Sequence, residues 1–313
     1  MPVRSAPITD RAARLFFEGI VDYAGLYPPA SVSMLAAVRN YANYRGIGSA
    51  WLLGRFVCPA SALTLFSQQA EVFLPRDAGA IPWRLAAVGS DNVEADMEAI
   101  AAFNARHRVC FDEAGAVVDA YEVKATSIDD VDRLDAALPH DLTTYIEVPL
   151  DPDPLEMIGA IARTGRRAKM RMGGVTAAAF PPAEAVVRFL AACVESNVPA
   201  KATAGLHHPI CGAYRLTYDE QPLVAPMFGF INVFLAAAHI AAGGSHNEAM
   251  LLLSEHDAGT FELNDYSIAW RGVNRVCHFD RALLQRVRES VLVSFGSCSF
   301  TEPVDETRRL GFV

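Results

Sequence analysis

Cysteine is sparse and unpatterned in this 313-residue chain. Six occur, at positions 58, 110, 193, 211, 277 and 298, with no Cys-x-x-Cys pair and no regular spacing. That excludes a disulfide framework and points to reduced thiols in a cytoplasmic protein. Runs of Lys or Arg are absent too, and the formal net charge of −9 leaves no basic face, so nucleic acid is not expected as a partner. The amino terminus, Met1-Pro2-Val3-Arg4-Ser5, has no apolar export core. No membrane association is expected either. The longest apolar run, residues 227–242, is shorter than the roughly 20 residues a span requires and contains Asn232 and His239. It reads as a buried helix, which a homo-oligomer could place at a subunit contact. A Gly-x-Gly-x-x-Gly fingerprint, a phosphate-binding P-loop, an inter-domain linker and low-complexity tracts are all missing.

What is present is enough apolar matter for one large core: 52% of residues are hydrophobic and 20% charged. Extended and helical patterns alternate along nearly the whole chain. Extended segments are read at 22–26, 50–57, 83–88, 117–124, 143–148, 168–172, 200–204 and 261–270, most of them followed by a helical pattern. A final helix is expected over 279–293. Asn92, and Ser127 with Asp130 three residues on, have the chemistry of helix N-caps. Eight βα units imply a parallel sheet closed into a (β/α)8 TIM-type barrel, class α/β, as a single domain over residues 1–313. An open doubly wound sheet is the competing arrangement. The long irregular stretch 206–224, after the seventh strand, reads as a lid.

Two strand-length runs carry the strongest chemical signal: Lys169-Met170-Arg171-Met172-Gly173 and Lys201-Ala202-Thr203-Ala204-Gly205, the latter continuing into Leu206-His207-His208-Pro209. Strand side chains alternate between faces, so Lys169 shares a face with Arg171 and Lys201 shares one with Thr203. A cation on a buried strand is costly without a partner or ligand. The inward positions near strand ends are Arg55, Glu122, Lys124, Glu147, Lys169, Arg171 and Lys201, five cations against two carboxylates. A cationic mouth in an acidic protein implies a small anionic metabolite, a phosphate or carboxylate. Two ammonium groups on neighbouring strands are expected to depress each other's pKa, with burial adding to the effect. A neutral amine at pH 7 is the nucleophile that condenses with a carbonyl.

On these two runs the chain resembles the deoxyribose-phosphate aldolase group of class I aldolases. That family carries its Schiff-base lysine on strand six in a Lys-Thr-Ser-Thr-Gly run and a second lysine on strand seven in a run like Lys-Ala-Ser-Gly-Gly. The resemblance covers about twenty residues, and Met170, Arg171 and Met172 stand where the family has Thr-Ser-Thr. It implies a lyase with Lys169 as nucleophile, Lys201 as its activator, Glu122 in the place of the family's proton-shuttling aspartate, and no cofactor.

The residues leave other readings open. Asp91, Glu122 and Glu147 fall at the ends of three successive strands, the arrangement by which enolase-like lyases or isomerases hold Mg²⁺; Asp91 is equally a helix-start residue. A barrel that binds a metabolite without turnover is the non-enzymatic alternative. His207 is a candidate acid/base, and His208 a substrate contact beside it. His239 reads as a core histidine, and Cys211 as a loop residue. In Asp22-Tyr23-Ala24-Gly25-Leu26-Tyr27-Pro28-Pro29, Asp22 or Tyr23 is expected to point at the mouth. Arg271, at the end of the expected eighth strand, is assigned as an anion clamp together with Arg55, Lys124, Arg171 and Thr203, and Glu147 shares proton transfer with Glu122.

Overall fold

The computed structural model describes residues 11–77, 79–111, 115–272 and 275–313, and side chains at all of these except 108–111. The extreme amino terminus and the Cys110 side chain lie outside them. Eight parallel strands close into a barrel: β1 (Val21–Tyr23), β2 (Leu53–Pro59), β3 (Trp83–Val88), β4 (Ala116–Lys124), β5 (Thr143–Glu147), β6 (Arg167–Arg171), β7 (Ala200–Thr203) and, much later in the chain, Leu292–Ser297. Between β7 and that last strand lie β8 (Gly212–Arg215) and β9 (Val224–Met227), an antiparallel hairpin. They are followed by β10 (Phe261–Leu263), β11 (Ser267–Arg271) and β12 (Val276–Asp280), a three-stranded antiparallel sheet. Leu292–Ser297 is therefore β13, and it closes the barrel between β7 and β1.

Seven of the eight expected barrel strands stand where the pattern placed them, and the eighth does not. The segment 261–270 alternates like a strand because it belongs to the β10–β11–β12 sheet, whose register pairs Phe261 with Trp270 and Ile268 with Phe279. The expected closing helix ends earlier. It spans Arg281–Ser290 behind an Asp280 cap whose Oδ1 accepts from the Leu283 N–H, and the chain then extends into β13. The expected helix takes in Leu292 and Val293, and the pattern assigns no element to 294–297.

Local signals elsewhere behave as their chemistry dictates. Asn92 Oδ1 accepts from the Ala95 N–H at 3.1 Å. Ser127 and Asp130 form a reciprocal capping box. The apolar run becomes the helix Phe230–Ala241, buried from Phe230 to Ile240 within this chain's own core, with Phe230 stacked on Phe295 of β13. One stretch, 177–195, is long and apolar enough by composition to cross a membrane. Its helix Ala183–Glu195 instead buries Val186, Phe189 and Leu190 in the barrel's outer layer.

The barrel interior is tiered. An apolar belt of Val57, Ala86, Ala120 and Tyr145, with Ala24, Tyr27 and Val88 against it, separates two layers of charge. On the amino-terminal side Arg55 clamps Asp119 through Nε and Nη2 at 2.7 and 3.0 Å, and Asp119 also accepts from Arg84 Nε at 2.6 Å. A bulge in β4, where the register against β3 slips between Leu85 and Ala86, brings the Asp119 carboxylate into this layer although its neighbour Ala120 also faces the belt. Arg55 is thus a structural plug beneath the belt, not a contact at the mouth. Its charge is spent on a carboxylate that simple alternation had turned outward.

Removing one partner of this clamp strands the other charge. Asp119→Ala is expected to lower unfolding free energy by about 3 kcal/mol, because the Arg55 side chain has little water to fall back on. Chemical denaturation of the variant against the wild type measures this; an unchanged midpoint would show that Arg55 finds another partner.

Candidate active site

Above the belt, at the carboxyl-terminal end of the strands, lies the second layer of charge. Register places Lys169 beside Lys201 and Glu147 beside Lys169 on β7, β6 and β5. Glu122 reaches in from β4. Its Oε1 accepts from Lys201 Nζ at 2.7 Å and its Oε2 pairs with Lys169 Nζ at 2.8 Å. Lys169 also meets Glu147 Oε2 at 2.9 Å, and Lys201 meets Asp22 Oδ2 at 2.5 Å. Asp22 is held in turn by the Ser294 hydroxyl at 2.9 Å and the Arg55 backbone N–H at 2.7 Å. The result is an unbroken alternation of sign around the barrel: Asp22, Lys201, Glu122, Lys169, Glu147. Lys124, mostly exposed, stands 3.8 Å from Glu147 at the far end.

This alternation overturns the expectation that the two lysines depress each other. Burial does act to lower Lys169, but Glu122 and then Glu147 outweigh it and hold the ammonium above its ordinary range. Lys201 follows the same logic: burial lowers it, Asp22 and Glu122 more than compensate, and the net displacement is upward. For Glu122, burial alone would raise the carboxyl; the two ammonium groups bring it down to about 2. Lys201 is fully enclosed, its ammonium 5.4 Å from the centre of the Tyr145 ring, whereas Lys169 keeps 7% of its side chain exposed. Of the two, Lys169 is the one a ligand can reach.

Both lysines belong to the lining of a cavity of about 300 Å³ at the barrel mouth, with Glu122, Glu147, Arg171 and Thr203. Its roof comes from the β8–β9 hairpin, which contributes Arg215 and packs Leu216 and Met227 against Phe180 of the segment after β6. The stretch expected to act as a lid therefore does bound the cavity. The loops after β6 and β7 come so close that a Cβ on Gly205 would lie 2.8 Å from Gly173 Cα, and Gly205 has φ +70°, so both glycines of the lysine runs are required by backbone approach. Arg171 and Arg215 line the cavity without an ion-pair partner among the described residues. Five Lys or Arg side chains thus face three carboxylates, Glu122, Glu147 and Glu302, across its lining.

The two histidines after β7 diverge, with ring centres 6.4 Å apart. His208 is stacked on Tyr214 at 3.5 Å and its Nδ1 lies 2.9 Å from Glu306. His207 Nδ1 lies within 3.3 Å of Ser297 Oγ, 3.5 Å of Glu302 and 3.9 Å of Cys298 Sγ. Burial would lower His207, yet the Cys298 and Glu302 contacts raise it to about 9, so the ring is a cation at neutral pH. Tyr218 completes this cluster by donating to Glu302 at 3.1 Å.

Arg271 is not at the site. It sits on β11, outside the barrel, exposed and paired with Glu262 at 2.6 Å. Tyr23 faces outward, packed between Tyr41, Tyr44 and Phe56, and only Asp22 of that pair faces inward. Pattern reading missed Tyr27, Arg215, Tyr218, Cys298 and Glu302. All five sit on loops, on the hairpin or on the closing helix Thr301–Arg309, where barrel-strand alternation gives no direction. Cys298 and Glu302 were further hidden by the misplaced eighth strand. For Mg²⁺ the donor set does not fit: Glu122 and Glu147 hold an ammonium between them, and Asp91 is exposed on the loop after β3. Among the described residues no three His, Cys, Asp or Glu side chains gather to hold a metal ion.

No family model and no curated protein matches the chain. Among solved structures it is similar to nitroalkane oxidase from Streptomyces ansochromogenes, at 14% identity over 63% of this chain and 62% of that one, TM-score 0.31. It is also similar to dihydropyrimidinase from Brevibacillus agri NCHU1002, at 15% identity over 63% of this chain and 42% of that one, TM-score 0.27. The chain spans less than two thirds of either. Likeness at this level carries no argument about activity.

A histidine raised in the folded state stabilises fully below its unfolded pKa and stops doing so as pH climbs through its folded one. With His207 at about 9 against an ordinary 6.5, wild-type stability is expected to decline on the order of 2–3 kcal/mol between pH 6.5 and 9. In His207→Gln that slope should flatten, as read by denaturant titrations across this range. A slope identical in both proteins would mean that His207 is neutral in the fold.

Proposed function

We propose that this barrel is a lyase of the class I aldolase type, which condenses Lys169 with the carbonyl of a small anionic substrate. The observation that carries this reading is the seat of Lys169 on the cavity floor: one amine between two carboxylates, below two arginines that have no carboxylate of their own. Carboxylates at 2.8 and 2.9 Å are the bases that take the ammonium protons when the amine attacks. Arg171 and Arg215 supply the cationic rim that draws in a phosphate or carboxylate. Lys201, enclosed between Asp22 and Glu122, orients Glu122 and leaves the chemistry to Lys169. The position of Glu122 between the two lysines agrees with what the aldolase resemblance implies for its proton-shuttling acid.

One observation favours a second reading, a barrel that binds its anion without turnover: both lysines already have carboxylate partners and rest as ammonium ions. Borohydride trapping separates the two. Wild type and Lys169→Ala are incubated with pyruvate, dihydroxyacetone phosphate and glyceraldehyde 3-phosphate, reduced, and read by intact mass. A Schiff-base enzyme gains the mass of one reduced adduct per chain, and Lys169→Ala does not. Saturable binding of these anions with no adduct would establish the second reading.

Because Lys169 lies above its ordinary range, the free amine is scarce at pH 7. The initial rate of adduct formation is therefore expected to climb about tenfold per unit from pH 7 to 9, as a simple ionisation requires. A plateau reached by pH 7.5 would show that the carboxylates do not hold Lys169 in its charged form.

A further inference from the structure

Charge at the barrel mouth is confined to one half of the wall. The barrel closes in the order β1, β13, β7, β6, β5, β4, β3, β2, and every charged strand residue on the cavity lining comes from β4 to β7: Glu122, Lys124, Glu147, Lys169, Arg171 and Lys201. From β13 comes Gly296, which has no side chain to offer. The other half is hydrocarbon. Val57 lines it from β2 and Val88 from β3, while Ala24, Tyr27, Pro28 and Pro29 continue the wall beyond β1. The Tyr27 hydroxyl is closed to water, so it offers a ligand no hydrogen bond. Neither proline has an N–H to donate.

Strand order sets the two halves face to face. In a ring of eight strands the one four places round lies opposite, so β6 faces β2, β7 faces β3 and β5 faces β1. Lys169 and Val57 therefore line opposite walls, as do Lys201 and Val88. Leu216 and Met227 of the roof add more hydrocarbon. A ligand spanning this cavity meets charge at one end and an apolar wall at the other. A sugar phosphate suits only the first, because its hydroxyls would lose water against Val57 and Val88 and gain no partner there. An oxo acid with a saturated chain carries no such groups.

We infer that the substrate is an aliphatic 2-oxo acid, with its carboxylate at Arg171, its carbonyl at Lys169 and its hydrocarbon chain against the wall of Val57 and Val88. The assignment rests on the reading of Lys169 given above. The carboxylate and carbonyl of such an acid are adjacent, and so are their partners, since Lys169 and Arg171 lie two positions apart on one face of β6. A cavity of about 300 Å³ suits a metabolite of this size.

The test measures Kd by calorimetry for pyruvate, 2-oxobutanoate, 2-oxopentanoate and 2-oxohexanoate, with glyceraldehyde 3-phosphate as the hydroxylated comparison. Borohydride trapping is run on the same set. Each added methylene is expected to tighten binding about fourfold, which makes about 60-fold from pyruvate to 2-oxohexanoate, as burial of hydrocarbon requires. Glyceraldehyde 3-phosphate should bind more weakly than 2-oxohexanoate. Val88→Thr, which exchanges a methyl for a hydroxyl in the same volume, is expected to weaken 2-oxohexanoate about tenfold. If that variant does not fold, the wild-type series decides alone. A flat series, tighter binding of glyceraldehyde 3-phosphate, or unchanged affinity in a folded Val88→Thr overturns the inference; an adduct at Lys169 would then leave the Schiff-base reading standing. A graded series with no adduct supports the ligand class and overturns the Schiff base alone.

Discussion

Glu122 stands between two buried ammonium groups, and the interior of the barrel depends on it. Placing Lys169 and Lys201 side by side on adjacent strands, both nearly cut off from water, would be prohibitive if they faced only each other. One carboxylate with an oxygen for each lysine turns that repulsion into an alternating array, and Asp22 and Glu147 extend it at either end. Desolvation of five charged groups remains a cost, so the array is weak evidence for stability. Its consequence is geometric. Each side chain is held by two neighbours, and Lys169, more exposed than Lys201, is fixed between Glu122 and Glu147 on the lining of the cavity.

The same arrangement gives the site its division of labour. Beneath the belt of Val57, Ala86, Ala120 and Tyr145, Arg55 and Asp119 neutralise each other and plug the barrel. Above it the inner charges are matched while the outer cations, Arg171 and Arg215, are left over. On the proposed reading, an anionic ligand meets an attractive rim, then a floor whose protons can be moved between fixed groups. On the β7–β13 side, the His207–Glu302–Tyr218 cluster ties the strand ends to the hairpin and the closing helix, so the roof is anchored by charge as well as by Leu216 and Met227.

The extended and helical cadence, seven of the eight barrel strands, the Asn92 and Ser127 caps and the inward facing of Lys169, Arg171 and Lys201 were legible in the sequence, because each follows from a local period or a local hydrogen bond. The error at β13 has the same origin. Alternation reports that a segment is extended with one buried face, and Ser267–Arg271 satisfies that condition in a side sheet as well as it would in a barrel. Arg271 followed the wrong strand and lost its place at the site. Arg55 was assigned to the right face but the wrong end, since a period of two gives direction across the sheet and nothing about height along the barrel axis.

Which charges meet was decided only in three dimensions. Glu122 and Lys201 are 79 positions apart, and Asp22 and Lys201 are 179 apart. Sequence reading set the two lysines against each other and inferred depressed, reactive amines; closure of the barrel interposed a carboxylate and reversed the sign. The sequence by itself determined that lysines would line the mouth of a parallel barrel, because strand period and apolar burial act over a few residues. Tertiary structure decided whether those lysines rest charged, because electrostatic energy depends on distance through space, and the β4 bulge and the span of Glu122 across the barrel leave no local trace, while the choice of Asp22 over Tyr23 as the inward residue was left open.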